Sequence, residues 1–220
     1  MEGENVIITA PSNTALRIIL VVIFSVGVIG HALPFTLPIM KLLTPLTLFL
    51  FGGLILFNTI SDLNRPLIYW LSITFIATFV LEVVGVHTGM VFGAYEYGDV
   101  LGRKLLDVPI IIGFNWTIII LGAIGIVQDA FPEKPLLAAF MVAVLALGFD
   151  VFLEPVAMQL DYWMWSGGVI PLQNYTAWFT IAFVSAFAFF HFEIKFNKAL
   201  VSFYFFVQFI FFILLNAFLG

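Results

Sequence analysis

Cysteine is absent from the 220-residue chain. Disulfides, thiolate nucleophiles, iron–sulfur clusters and cysteine-based zinc sites are therefore excluded together. Charge is nearly as scarce. Eight Lys and Arg and 13 Asp and Glu bring the charged share to 10%, where a soluble domain carries about 25%. A net charge of −5 leaves no basic stripe of the kind nucleic acid requires, so no nucleic-acid partner is expected. A basic leader is missing too: Glu2 and Glu4 stand at the N-terminus, and no small-x-small cleavage site follows the first apolar run. That run is expected to be a retained helix, not a cleaved signal.

What is present is apolar surface, with 63% of residues hydrophobic. A chain of this length cannot bury so much in a water-soluble core. Lipid is the solvent that accepts it. Each spanning helix needs roughly 20 apolar residues, so seven use about 140 and leave only tails and short connections. The expected fold is all-α: a polytopic integral membrane protein with about seven transmembrane helices in one bundle over 15–220, after a short tail over 1–14. The spans fall near 15–33, 42–60, 67–86, 109–128, 135–153, 175–192 and 199–219. Pro34 and Pro38 are expected to close the first, Pro66 to open the third, and Pro155 to end the fifth by disfavouring helix at Glu154. Tyr69, Trp70, Trp163, Trp165 and Trp178 lie near span ends, as interfacial aromatics do. No internal repeat or domain linker interrupts the pattern.

Orientation follows from the basic residues. Arg17, Arg65, Lys134, Lys195 and Lys198 share the N-terminal face, against Lys41, Arg103 and Lys104 opposite, which favours a cytoplasmic N-terminus. The acids are distributed more tellingly. Glu82, Glu96, Asp99, Asp107, Asp150, Glu154 and Asp161 all belong to the face opposite the N-terminus, together with His31 and His87.

Three acids sit within apolar runs. Asp150 and Glu154 are four apart, which puts both on one helix face. Two ionised carboxylates there would repel and lose hydration, so one of the pair is expected to hold its proton. A neutral carboxylic acid in an apolar site is a general acid; the plainer alternative is an interfacial helix end facing water. Glu82, the only charged side chain in its span, is either a hydrogen-bonding partner for a neighbouring helix or a proton donor. The histidines have no ligand spacing, so no metal site is expected, and His87 is expected to tune Glu82 or line its pocket. The two longest connections, about 87–108 and 154–174, are rich in Gly and aromatics and lie on the acid-bearing face. They read as interfacial anchors, or as a lid or wall over a lipid-soluble ligand.

These segments make the sequence resemble the carotenoid 1′,2′-hydratase family of bacteria and archaea. The resemblance rests on Glu82-x-x-Gly85-x-x-Thr88-Gly89-x-x-Phe92-Gly93-x-Tyr95-x-Tyr97, then Leu101-Gly102, Val108-Pro109 and Asn115-Trp116. A second block runs Asp150-x-x-x-Glu154-Pro155, Trp163-x-Trp165, Pro171 and Asn174-Tyr175-x-x-Trp178. It implies addition of water across the terminal isopropylidene double bond of a linear or monocyclic carotene, giving a tertiary alcohol, in a bacterial or archaeal membrane. Protonating such an alkene gives a tertiary carbocation, and no cofactor is needed. Asp150, Glu82 and Glu154 are the expected catalytic residues. His31, His87, Tyr95, Glu96, Tyr97, Asn115, Trp116, Trp163, Trp165, Asn174 and Trp178 are expected to line the substrate site. The expected partners are the carotenoid, membrane lipid and other membrane enzymes of the same pathway. A cyclase begins with the same protonation and is the near alternative. A proton-coupled transporter is a rival of another class, weakened by the confinement of the acids to one face; a structural subunit would leave three embedded acids unexplained.

Overall fold

The computed structural model of the chain describes residues 13–60 and 64–219; of the tail expected over 1–14, residues 1–12 lie outside them, and Asn13 and Thr14 already belong to the first helix. Seven helices follow one another: α1 (Asn13–Ala32), α2 (Leu37–Thr59), α3 (Arg65–Thr88), α4 (Ile110–Val127), α5 (Pro135–Gln159), α6 (Leu172–His191) and α7 (Ala199–Leu219). Six of them are long and apolar enough to cross a membrane. The exception is α6, whose first turn carries Gln173 and Asn174. Side chains such as Ile18, Leu42, Phe57 and Ile73 point outward and exposed, which in lipid is their buried state. The chain is an integral membrane protein.

Local signals place most helix ends. The Asn64 side chain accepts from the backbone N–H of Leu67, and Pro66 occupies the first turn of α3, where its missing N–H is harmless. Gly89, in the left-handed conformation, ends the same helix. Two prolines behave differently from expectation. Pro38 begins α2 instead of closing α1, because α2 starts five residues earlier than its apolar run suggests. Pro155 lies inside α5, which continues to Gln159. A proline removes one helical hydrogen bond and crowds the turn before it. The carbonyl so deprived is that of Val151; on the next residue, the Asn216 side chain of α7 donates to the Phe152 carbonyl.

The central element is α4. Fourteen of its 18 residues are buried, and it touches α2, α3, α5, α6 and α7. The most extensive pairing is α5 with α6, followed by α1 with α7. The two long connections are not plain loops. Each contributes a strand, β1 (Tyr95–Tyr97) and β4 (Trp163–Trp165), and these pair antiparallel with Tyr95 opposite Trp165 and Tyr97 opposite Trp163. A second small ladder joins β2 (Lys104–Leu105) to β3 (Val108–Pro109). Side chains alternate faces along a strand. Tyr-x-Tyr and Trp-x-Trp therefore send four aromatics inward, while Glu96 and Met164 face out. The ribbon is a wall laid across the end of the helix bundle.

Candidate acid-lined site

The wall stands over three acids. Glu82 comes from α3, and Asp150 and Glu154 from α5, one turn apart on one face. All three are buried, at 3%, 0% and 1% exposure. They line one cavity of about 10 Å³ with Phe92, Tyr95, Tyr97, Ile112, Trp116, Trp163, Trp165, Asn174 and Trp178. That volume is roughly one water molecule's worth. None of these lining side chains carries a positive charge.

Each acid meets a different set of donors. The Tyr97 hydroxyl donates to Glu82 Oε2 at 2.7 Å, and the Tyr95 hydroxyl donates to the same oxygen. Burial first, and then the negative charge of Glu82, push both phenols well above their usual range, so they remain O–H donors. Glu154 Oε2 accepts from the indole N–H groups of Trp163 (3.0 Å) and Trp165 (2.7 Å). The Asn174 amide donates to Glu154 Oε1 at 2.8 Å and to Asp150 Oδ2 at 2.9 Å. Asp150 Oδ1 is buried without a hydrogen-bond partner among the described residues. The donor count thus runs three for Glu154, two for Glu82 and one for Asp150.

Aromatic faces complete the enclosure. Trp116 and Trp178 stack at 3.7 Å between ring centroids, and Phe92 stacks on Trp178 at 5.1 Å. Tyr95 packs on Trp165 at 4.8 Å. Glycines permit this density. A Cβ on Gly85 would stand 2.6 Å from Phe92. Gly93 has φ 111°, and a Cβ there would meet Pro171 at 2.7 Å.

Ten of the fourteen residues expected at the site on sequence grounds meet around the cavity: Tyr95, Tyr97, Trp116, Trp163, Trp165, Asn174 and Trp178 join Glu82, Asp150 and Glu154. Four lie elsewhere. His87, five positions beyond Glu82, is half-exposed and faces Asp107 at 3.7 Å, so it does not line the acid's pocket. Glu96 points outward because it is the middle residue of β1. Asn115 precedes Trp116 on α4 and turns away from the cavity that Trp116 lines. His31, at the end of α1, packs on Phe211 of α7 at 5.7 Å, across a different cavity. The tryptophans near span ends are not interfacial anchors: Trp70, Trp163, Trp165 and Trp178 are buried, and the Trp70 indole donates to the Ser185 carbonyl at 2.8 Å. Phe92 and Ile112 line the cavity too, and nothing in their sequence surroundings distinguishes them from core residues. The period-two spacing of Tyr95, Tyr97, Trp163 and Trp165 was the available sign of the strand pairing that gathers them.

No curated protein and no solved structure matches the chain. The family model described as "carotenoid biosynthesis protein" matches residues 43–220, which include every residue lining the acid cavity, and the chain belongs to that family.

Proposed function

We propose that the protein hydrates the terminal isopropylidene double bond of a linear or monocyclic carotene, with Asp150 as proton donor. The unequal supply of donors carries the reading. Three N–H groups on Glu154 and two O–H groups on Glu82 favour their anions, whereas Asp150, which also lines the void, has one bond and an oxygen without a partner among the described residues. A proton shared among three close carboxyls rests best on Asp150 Oδ1.

The reaction then balances without redox change. The alkene π pair takes the Asp150 proton at the less substituted carbon, forming a C–H bond and leaving a tertiary cation. Faces of Trp116, Trp163 or Trp165 stabilise that cation, at about 0.5–2 kcal/mol each when desolvated. A water oxygen adds to the cationic carbon, and its surplus proton passes to Glu154 or Glu82. Asn174, bonded to both Asp150 and Glu154, holds the two carboxyls in register while the proton returns to Asp150. The void fits the water, not an end group, so the end group enters by displacing wall side chains.

Capture of the cation by a neighbouring double bond would instead make a ring. Pigments from a host accumulating acyclic and monocyclic carotenes, compared with and without this protein, separate the two outcomes. Hydration adds the mass of one water per modified end. An isomer of unchanged mass overturns the reading in favour of cyclisation, and unchanged pigments overturn both.

A further inference from the structure

A second cavity, of about 170 Å³, lies between α1, α2 and α7. Its walls are mostly carbon, with Phe24 and Phe211 prominent, and exposed Val26 and Leu43 at its margin place it against lipid. Among its polar side chains, two carry buried atoms without partners among the described residues. Gln208 of α7 is 0% exposed, and neither its Nε2 nor its Oε1 has a hydrogen-bond partner among the described residues. His31 is 5% exposed; its Nδ1 lies 2.7 Å from the Gly27 carbonyl, and its Nε2 has no such partner. A carbonyl only accepts, so Nδ1 carries the hydrogen and Nε2 of the neutral ring offers a bare lone pair. The Tyr162 hydroxyl in the same wall is already engaged with Thr44 at 3.4 Å.

Buried polar atoms are ordinarily paired, and three unpaired ones around one cavity define what would pair them. The missing group must donate to His31 Nε2 or Gln208 Oε1 and accept from Gln208 Nε2. One hydroxyl does both. An apolar cavity near 150 Å³ holds a benzene-sized group, which is also the scale of a branched five-carbon isoprenoid end. We infer that this cavity binds a hydroxyl-capped isoprenoid end group through Gln208 and His31, and that its occupant is the tertiary alcohol made at the acid site. The tertiary carbon rests on the hydration reading; the need for a hydroxyl rests on the cavity alone.

The test uses full-length protein in lipid nanodiscs, with myrcene and its water adduct myrcenol as probes. Ligand-dependent rise of the thermal midpoint gives relative affinities. Myrcenol should bind about tenfold more tightly than myrcene, the factor expected of one net hydrogen bond. Gln208→Leu and His31→Phe should each erase that preference while leaving myrcene binding in place. Gln208→Leu should also raise the midpoint of the ligand-free protein, which a merely structural glutamine would not do. Equal binding of the two probes, or binding of neither, overturns the assignment. So does a preference that survives in both variants but vanishes in Asp150→Asn, since the alcohol would then sit at the acid cavity. Pigment hydration failing while the preference stands refutes the reaction and spares the hydroxyl site; the reverse refutes the site alone.

Discussion

Replacing Asp150 by Asn should abolish turnover and leave the protein at least as stable. Asp150 is fully buried, with one oxygen bonded to Asn174 and the other without a partner among the described residues. Asparagine keeps the shape and the acceptor for the Asn174 amide. Its own NH₂ takes the place of the unpaired oxygen and faces a cavity where Glu82 and Glu154 can accept. An unsatisfied buried polar group costs about 1–3 kcal/mol. In a chain of this size each kcal/mol moves the thermal midpoint by about 2–4 °C, so relief of even part of that cost should raise it by a few degrees. Loss of the proton donor works in the opposite direction on rate, with general acid catalysis contributing about 100- to 10,000-fold. The assay pairs the hydroxylated fraction of extracted carotenoids, per unit of membrane-inserted protein, with the thermal midpoint in lipid nanodiscs. A stable Asp150→Asn variant that hydrates near the normal level would refute the acid assignment. A lowered midpoint would refute the claim that this carboxyl is held against the preference of the fold.

Trp165→Phe removes one of three N–H donors to Glu154 while keeping an aromatic ring in the wall. A hydrogen bond to a charged group contributes about 1.5–3 kcal/mol, so hydration should fall roughly ten- to a hundredfold; product per unit protein at wild-type level would show that Glu154 does not depend on the ribbon. Gly93→Ala forces a left-handed backbone onto a residue with a Cβ and drives it into Pro171. Its thermal midpoint and membrane yield should both drop, and unchanged values would mean the ribbon moves freely. His87→Ala should keep hydration within about twofold and stability within about 0.5 kcal/mol, as at other exposed positions. A loss beyond tenfold in the pigment assay would bring His87 back to the chemistry.

The helices were legible because hydropathy over twenty residues is a long signal, and lipid leaves the backbone few choices. Glu82, Asp150 and Glu154 were legible for a related reason, since a carboxyl inside an apolar run is costly enough to be conspicuous. The ribbon was not read, because two three-residue strands seventy positions apart pair only after the bundle has brought their connections together. Gly85, Gly89 and Gly93 gave the first connection the look of a flexible turn, and that hid the alternation of Tyr95 and Tyr97. His87 failed for a local reason: five positions beyond Glu82 on a helix is more than a full turn, and the rotation carries it off the buried face. Pro155 differs for a tertiary one: α5 is packed against α4, α6 and α7, and no local rule contains those helices.

Asn174 gives α6 a difficulty of its own on the way to the folded state. The residue that ties Asp150 to Glu154 also sits with Gln173 in the opening turn of the one helix not apolar enough to span by composition. A segment partitions into lipid by its own hydropathy, residue by residue, so α6 on its own enters weakly. Its most extensive partner is α5, the segment synthesised just before it and the one that bears both carboxyls. Pairing with α5 gives the Asn174 amide its acceptors and makes the polar turn tolerable in the bilayer. The two helices thus form a hairpin in which one amide both relieves the polar opening turn of α6 and ties the paired carboxyls of α5.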